Sequence, residues 1–166
     1  LESDLRHALE QNEFMLFYQP QFSGDGQRLT GAEALLRWQH PQRGLVPPIA
    51  FIPVLEELGL INEVGDWVLA EACRQLRTWQ ATGLTLPKIS VNLSARQFKD
   101  GLLARRIADI LARYDIPAAS LELELTESTL MSDTEAAQAT VASLRDLGVA
   151  LAIDDFGTGY SSLSYL

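Results

Sequence analysis

From Lys88 onward the chain alternates between short stretches of period two and longer ones of period near 3.6. "KISVNLS", "LELELTES" and "VALAIDDFG" carry the strand pattern. "ARQFKDGLLARRIADILARYD" and "SDTEAAQATVASLRDLG" carry the helix pattern, the second with Ser132 or Asp133 as its cap, and "YSSLSYL" opens a further helix. Strand and helix alternating through short links predict a parallel sheet with helical crossovers. Upstream, "FMLFYQPQF" (Phe14 to Phe22) and "LTGAEALLRW" (Leu29 to Trp38) read as two strands around the turn "SGDGQR". That link is too short for a crossover, so this pair is antiparallel. A Pro-rich loop, "HPQRGLVPP", leads to two helices, "IAFIPVLEELG" and "INEVGDWVLAEACRQLRTWQATG", each closed by Gly. Trp67 and Trp79 on the second are core or groove-filling aromatics. "LESDLRHALEQNE", with Leu1, Leu5 and Leu9 at spacing four, reads as an amphipathic helix. Residues 1–13 are either the domain's own first helix or a linker from an upstream unit.

Side chains of a strand alternate between faces. Ile89, Val91 and Leu93 share one face, and Ser90, Asn92 and Ser94 the other. Leu121, Leu123 and Leu125 oppose Glu122, Glu124 and Thr126. Val149, Leu151 and Ile153 oppose Ala150, Ala152 and Asp154, and Glu33, Leu35 and Arg37 share a face. Each parallel strand thus has one aliphatic face and one that turns polar toward its C-terminal end. A sheet covered on both sides should be apolar on both. A barrel explains the pattern, with helices outside and a site at the C-terminal rim; the alternative, a half-solvated sheet with Glu122 and Glu124 in water, leaves Asn92 and Asp154 unexplained.

Composition narrows the function. The chain has 166 residues, one domain or part of one, and 47% are hydrophobic, enough for a packed core. A net charge of −9 argues against a simple nucleic-acid polymer binder. No apolar run reaches membrane-spanning length, and no signal peptide is in view. A cytoplasmic domain is expected, in a parent protein that could be anchored elsewhere. Cys73 is the one cysteine and is expected in the core; His7 is expected in solvent, and His40 lies in a turn without a second His for a metal pair.

The strand faces bring Glu33, Asn92, Glu124 and Asp154 to one rim, with Asp155 one step beyond. So many anions together cost several kcal/mol, roughly, unless compensated. Hard divalent cations provide compensation. All-oxygen donors without His or Cys point to Mg²⁺ or Mn²⁺ rather than zinc. Asp154 and Asp155 suit two ions about 4 Å apart with one carboxylate bridging. Glu127 is placed to hold the Gly157–Gly159 loop. Arg37 offers a planar fork for a phosphate, or is a solvent-facing strand-end residue.

Five motifs in order, "EALLRW", "HPQRGLVPPIAFIPVLEELGLI", "SVNLSARQF", "ELTES" and "DDFGTGYSSL", resemble the EAL domain family of cyclic di-GMP phosphodiesterases. The resemblance implies an α/β fold, a (β/α)₈ TIM-type barrel with an antiparallel first strand, covering residues 14–166 and incomplete at about five of eight strands. It implies two Mg²⁺ or Mn²⁺ ions that activate a bridging water for in-line attack on cyclic di-GMP, giving linear pGpG. By position, Glu33, Asn92, Glu124 and Asp154 match the ligands of the first ion, and Asp154 and Asp155 those of the second. Glu127 matches the loop-anchoring glutamate. Gln19, Leu35 and Arg37 match substrate contacts, and Pro53 lies in the "FIP" segment of the ligand groove. Implied partners are cyclic di-GMP and an upstream GGDEF or sensor domain, with a homodimer left open. The family pattern continues with a Lys-Ile-Asp strand, an E-G-V-E strand and a Gln-Gly segment beyond these 166 residues. The 166-residue chain alone is therefore expected to be inactive and to pair through open edges. A non-catalytic cyclic di-GMP receptor is the alternative, and a metal phosphodiesterase with another substrate is a third reading.

Overall fold

The computed structural model of the chain describes residues 1–131 and 134–153. The predicted helix at Tyr160, the acids Asp154 and Asp155, the Gly157–Gly159 loop and the cap candidates Ser132 and Asp133 lie outside the described residues. After helix α1 (Glu2–Ala8) come strands β1 (Phe14–Phe22), β2 (Leu29–His40) and β3 (Gly44–Val46). Helices α2 (Pro48–Glu57) and α3 (Ile61–Ala81) follow, then β4 (Ile89–Asn92), α4 (Ala95–Phe98) and α5 (Leu103–Tyr114). A 3-10 turn leads into β5 (Leu121–Leu125), α6 (Glu127–Leu130), α7 (Glu135–Leu147) and β6 (Ala150–Ile153).

The described sheet runs β1-β2-β4-β5-β6, with β3 paired to β2 off this path. The short first link makes β1 and β2 antiparallel, as its length requires. The pairs β2–β4, β4–β5 and β5–β6 are parallel, each bridged by helices. This is the arc of an α/β barrel. Its outer face holds Ile89, Val91, Leu121 and Leu123, all nearly inaccessible. Leu69, Leu76 and Ile107 from α3 and α5 belong to the same core. Each such side chain contributes about 1.5–3 kcal/mol on burial. Cys73 is buried in this layer, which pushes its thiol up to about 12. Trp67 packs on Phe14, and Trp79 meets Tyr18 edge-on at 4.9 Å. No helix among the described residues is long and apolar enough to cross a membrane.

Four local expectations are corrected. The Pro-rich loop contains β3, which pairs with an extended β2 through Trp38↔Val46 and His40↔Gly44. His40 makes that turn, since its Nδ1 accepts the backbone N–H groups of Gln42 and Arg43 at 3.0 and 3.1 Å. The long helix after β4 is broken into α4 and α5. Ser94 and Gln97 form a capping box on α4, and Asp100 accepts the N–H of Leu102 at the start of α5. β5 stops at Leu125. Thr126 leaves the strand face to cap α6, its hydroxyl accepting the N–H of Thr129. The cap of α7 is Thr134, which accepts from Ala137.

α1 is joined to the sheet through β2. Leu5 and Ala8 are buried, and His40 Nε2 lies 2.8 Å from Asp4 Oδ2. Because Nδ1 is an acceptor, Nε2 carries the proton and donates to Asp4. That hydrogen bond holds the Asp4 carboxyl below its ordinary value of 3.8. A depressed carboxylate stabilises the fold above its unfolded pKa, and the gain is lost as pH falls through the folded one. Asp4→Asn, which keeps an acceptor but loses the charge, should therefore lower the urea midpoint at pH 7. The difference from wild type should shrink below about pH 4. A difference that stays constant between pH 7 and pH 3 would count against a charged Asp4–His40 contact.

Candidate functional site

Three neighbouring strands bring their polar face together over two adjacent levels of the sheet. Glu33 in β2 has Gln19 of β1 and Ser90 of β4 as its Cα partners. Asn92, two residues further along β4, is partnered by Glu124 of β5. The Asn92 amide reaches back across the strands, and its Nδ2 donates to Glu33 Oε2 at 3.0 Å. Glu124 is only 8% exposed. Asn92 Oδ1 is buried without a hydrogen-bond partner among the described residues.

That oxygen tests the proposed metal chemistry. A buried carbonyl oxygen without a donor is rare and costly. Here it sits beside one carboxylate, with a second on the adjacent strand. Two carboxylates and an amide oxygen form a hard, all-oxygen donor set, which fits Mg²⁺ or Mn²⁺. Among the described residues no three His, Cys, Asp or Glu side chains gather into a metal cluster. The described donors here are thus two carboxylates and one amide, and Asp154 and Asp155, the other acids expected at this rim, lie outside the described residues.

One level deeper than Glu124, in register with Ser90 and Glu33, Glu122 is compensated by the protein itself. Lys88 Nζ is 2.9 Å from its Oε2, and Ser90 Oγ donates to Oε1 at 3.0 Å. Both partners lie on or just before the neighbouring strand, and the face pattern alone did not link them to Glu122. This separates two inward acids on one strand: Glu122 is occupied by a lysine, while Glu124 belongs to the level of Asn92.

The other sequence-predicted residues fall into place unevenly. Gln19 and Leu35 lie on the same inner face as Glu33, Gln19 exposed and Leu35 nearly buried. Arg37 is half-buried further along β2, its Nη1 donating to the Leu36 carbonyl at 3.0 Å. Burial lowers its pKa. Its guanidinium carbon also lies 5.3 Å from the Phe17 ring, a neighbour that sequence reasoning passed over. The only signal for it was an aromatic at an inward position of β1. Pro53 stands on a separate element, on the exposed side of α2, while Phe51 on the opposite side packs against Trp38 at 5.7 Å. Glu127 is the first residue of α6 and is exposed.

Comparison with known proteins places this geometry. A family model described as EAL domain matches residues 2–166. The bifunctional diguanylate cyclase/cyclic di-GMP phosphodiesterase MucR of Pseudomonas aeruginosa is 48% identical over 163 residues, 98% of this chain and 24% of that protein. The oxygen sensor protein DosP of Escherichia coli is 45% identical, across 100% of this chain and 21% of its own length. This chain thus spans about a fifth to a quarter of the curated relatives it matches. Among solved structures, the PaMucR phosphodiesterase in its c-di-GMP complex superposes with a TM-score of 0.89 at 47% identity, covering 98% of this chain and 66% of that one. The Xanthomonas citri FimX EAL domain in complex with c-diGMP gives 0.81 at 30% identity, covering 97% and 62%. The arc of strands is accordingly part of a (β/α)₈ TIM-type barrel with an antiparallel first strand. With five motifs in order, a matched family model and relatives at nearly half identity, the chain belongs to the EAL domain family.

Proposed function

We propose that the protein carrying this chain hydrolyses cyclic di-GMP to linear pGpG. The observation that carries this reading is the Glu33–Asn92–Glu124 set, whose Asn92 oxygen has no hydrogen-bond partner among the described residues and which suits a divalent cation. The reading assigns Glu33, Asn92, Glu124 and Asp154 to a first Mg²⁺ or Mn²⁺ ion, and Asp154 and Asp155 to a second. When bound, such a pair supplies Lewis acidity and a water deprotonated near neutral pH. The protein's own side chains do the rest. Arg37 receives a phosphate of the substrate through its fork. Gln19 and Leu35 line the approach from the inner face, and Pro53 the groove at α2. The Asn92 amide holds the Glu33 carboxylate in one orientation by hydrogen bonding. Glu127 anchors the Gly157–Gly159 loop.

MucR's name includes cyclic di-GMP phosphodiesterase, and the FimX domain is described in complex with c-diGMP. Both support the substrate. MucR is also named a diguanylate cyclase and DosP a sensor, which favours a sensory or GGDEF unit as a partner in the same protein. We place the domain in the cytoplasm.

The test is product formation from cyclic di-GMP by the full-length protein with Mg²⁺ or Mn²⁺. Linear pGpG should appear with either ion and not in excess chelator. Residues 1–166 expressed alone serve as the comparison, and we expect them to be inactive. Their described sheet ends at β1 on one side and β6 on the other, and open strand edges invite mispairing. Binding without turnover by the full-length protein would favour the receptor reading. Equal turnover by the short polypeptide would remove the need for closure of the barrel.

A further inference from the structure

Just beyond β4 a polar side chain is buried where its surroundings favour an apolar one. Gln97, in the short helix α4, is 4% exposed. With Asn92 it lines a cavity of about 30 Å³ whose other walls include Ala34, Leu36, Val64 and Val68. A leucine or methionine would fill such a place without desolvating an amide. α3 also makes way for it. A Cβ on Gly65 would meet Gln97 Nε2 at 1.8 Å, so a side chain at 65 and the Gln97 amide cannot both occupy this space. Two unfavourable choices, on separate helices, thus serve one side chain.

What the amide does is local. Its Oε1 accepts the N–H of Ser94 at 2.9 Å, and Ser94 Oγ accepts the N–H of Gln97 at 3.2 Å. One residue before Ser94, the Leu93 N–H still donates to the Glu124 carbonyl of β5 at 3.0 Å. At Ser94 the chain turns into α4, and the Gln97 side chain receives the N–H that the sheet no longer pairs. Asn92 stands immediately before this junction. Its Nδ2 is held by Glu33, so the backbone that carries the amide decides where its other atom, Oδ1, is presented.

We propose that Gln97 is a positioning residue for Asn92: by accepting the Ser94 N–H it fixes the backbone at the end of β4, and with it the place of the Asn92 oxygen in the donor set. The inference rests on the reading of Asn92 as a metal ligand, and the experiment separates the two. Gln97→Met, Gln97→Glu, Asn92→Ala, the Gln97→Met/Asn92→Ala double variant and Leu111→Ala are made in the full-length protein. The Kd for Mn²⁺ is measured by calorimetry without nucleotide, and folding is checked by circular dichroism. Gln97→Met keeps the volume but cannot accept from Ser94, and should weaken Mn²⁺ binding about tenfold, as loss of a group supporting a ligand does. Gln97→Leu is a second variant of the same kind, should the methionine not be accommodated. Gln97→Glu keeps the acceptor of the capping box and should bind within about twofold of wild type. Asn92→Ala should lose at least as much as Gln97→Met, and the double variant no more than Asn92→Ala alone, because nothing is left to position. Leu111→Ala opens the core near the far end of α5, lowering the unfolding midpoint while leaving the Mn²⁺ Kd unchanged. A loss with Asn92→Ala but none with Gln97→Met or Gln97→Leu overturns the role of Gln97 and leaves Asn92 standing. Failure of Gln97→Glu to restore binding, additive losses in the double variant, or an equal loss with Leu111→Ala also overturns it. Unchanged binding with Asn92→Ala overturns the reading of Asn92 as a ligand, and the role of Gln97 with it.

Discussion

Glu33→Gln in the full-length protein is expected to lower kcat for cyclic di-GMP by about 10³-fold, with the fold intact. The substitution is nearly isosteric. A Gln oxygen at the same place can still accept the Asn92 Nδ2–H bond that now spans 3.0 Å. What disappears is one negative charge from the set proposed to hold a cation, beside an Asn92 oxygen without a partner among the described residues. A catalytic metal contributes several kcal/mol to transition-state stabilisation, and about 4 kcal/mol corresponds to about 10³ in rate. The check has three parts: turnover with saturating Mn²⁺, metal affinity by calorimetry, and circular dichroism to confirm folding. Turnover within a few-fold of wild type would remove Glu33 from the metal set. Loss of turnover together with loss of the folded spectrum would show a structural role instead.

Gly65→Ala is expected to destabilise the domain by about 3 kcal/mol, a large effect for one methyl group. Gly65 lies in the second turn of α3, inside the helix, where a glycine already costs about 1 kcal/mol against alanine. A Cβ there would meet Gln97 Nε2 at 1.8 Å and Gln97 Cδ at 2.6 Å. Gln97 cannot swing aside cheaply. It is 4% exposed, and its Oε1 accepts the Ser94 N–H while Ser94 Oγ accepts the Gln97 N–H. Overpacking of about 1–3 kcal/mol and a broken buried hydrogen bond of similar size therefore outweigh the gain in helix propensity. Ser94 is two residues after Asn92, so the strain falls next to the site. Urea denaturation measures it, and Gln97→Ala in the same chain should recover part of the loss. A stability equal to or above wild type would mean that α3 and α4 are less tightly apposed than described.

The contrast between these two positions shows what the sequence made legible. Glu33 and Asn92 could be assigned to one polar face because strand alternation is a local signal, although Glu33 stands opposite Ser90 and Asn92 reaches back to it from two residues further on. The antiparallel first pair was legible from the six residues "SGDGQR" alone. The glycine in "INEVGDWV" passes as part of a helical pattern, and nothing local says that a glutamine thirty-two residues later needs its space. Likewise, the helical period runs on through "KDGLL", and the break appears only once Asp100 spends its carboxylate on Leu102 and Arg106. The pairs Lys88–Glu122 and Phe17–Arg37 required the register between strands, which periodicity within a strand does not set.

β2 has a mechanical character that follows from its attachments. One end is held to the N-terminal region: Asp4 by His40, and Glu13 by both the Trp38 indole N–H and the Gln39 N–H. Arg37 is three residues from His40, about 10 Å along an extended chain, and Leu35 and Glu33 follow in the same line. The ladder to β1 runs from Phe14↔Trp38 to Gln21↔Gly31, so the strand has little slack with which to absorb a pull. β2 is in effect a tie-rod, and along it a displacement of α1 meets Arg37 before Leu35 and Glu33.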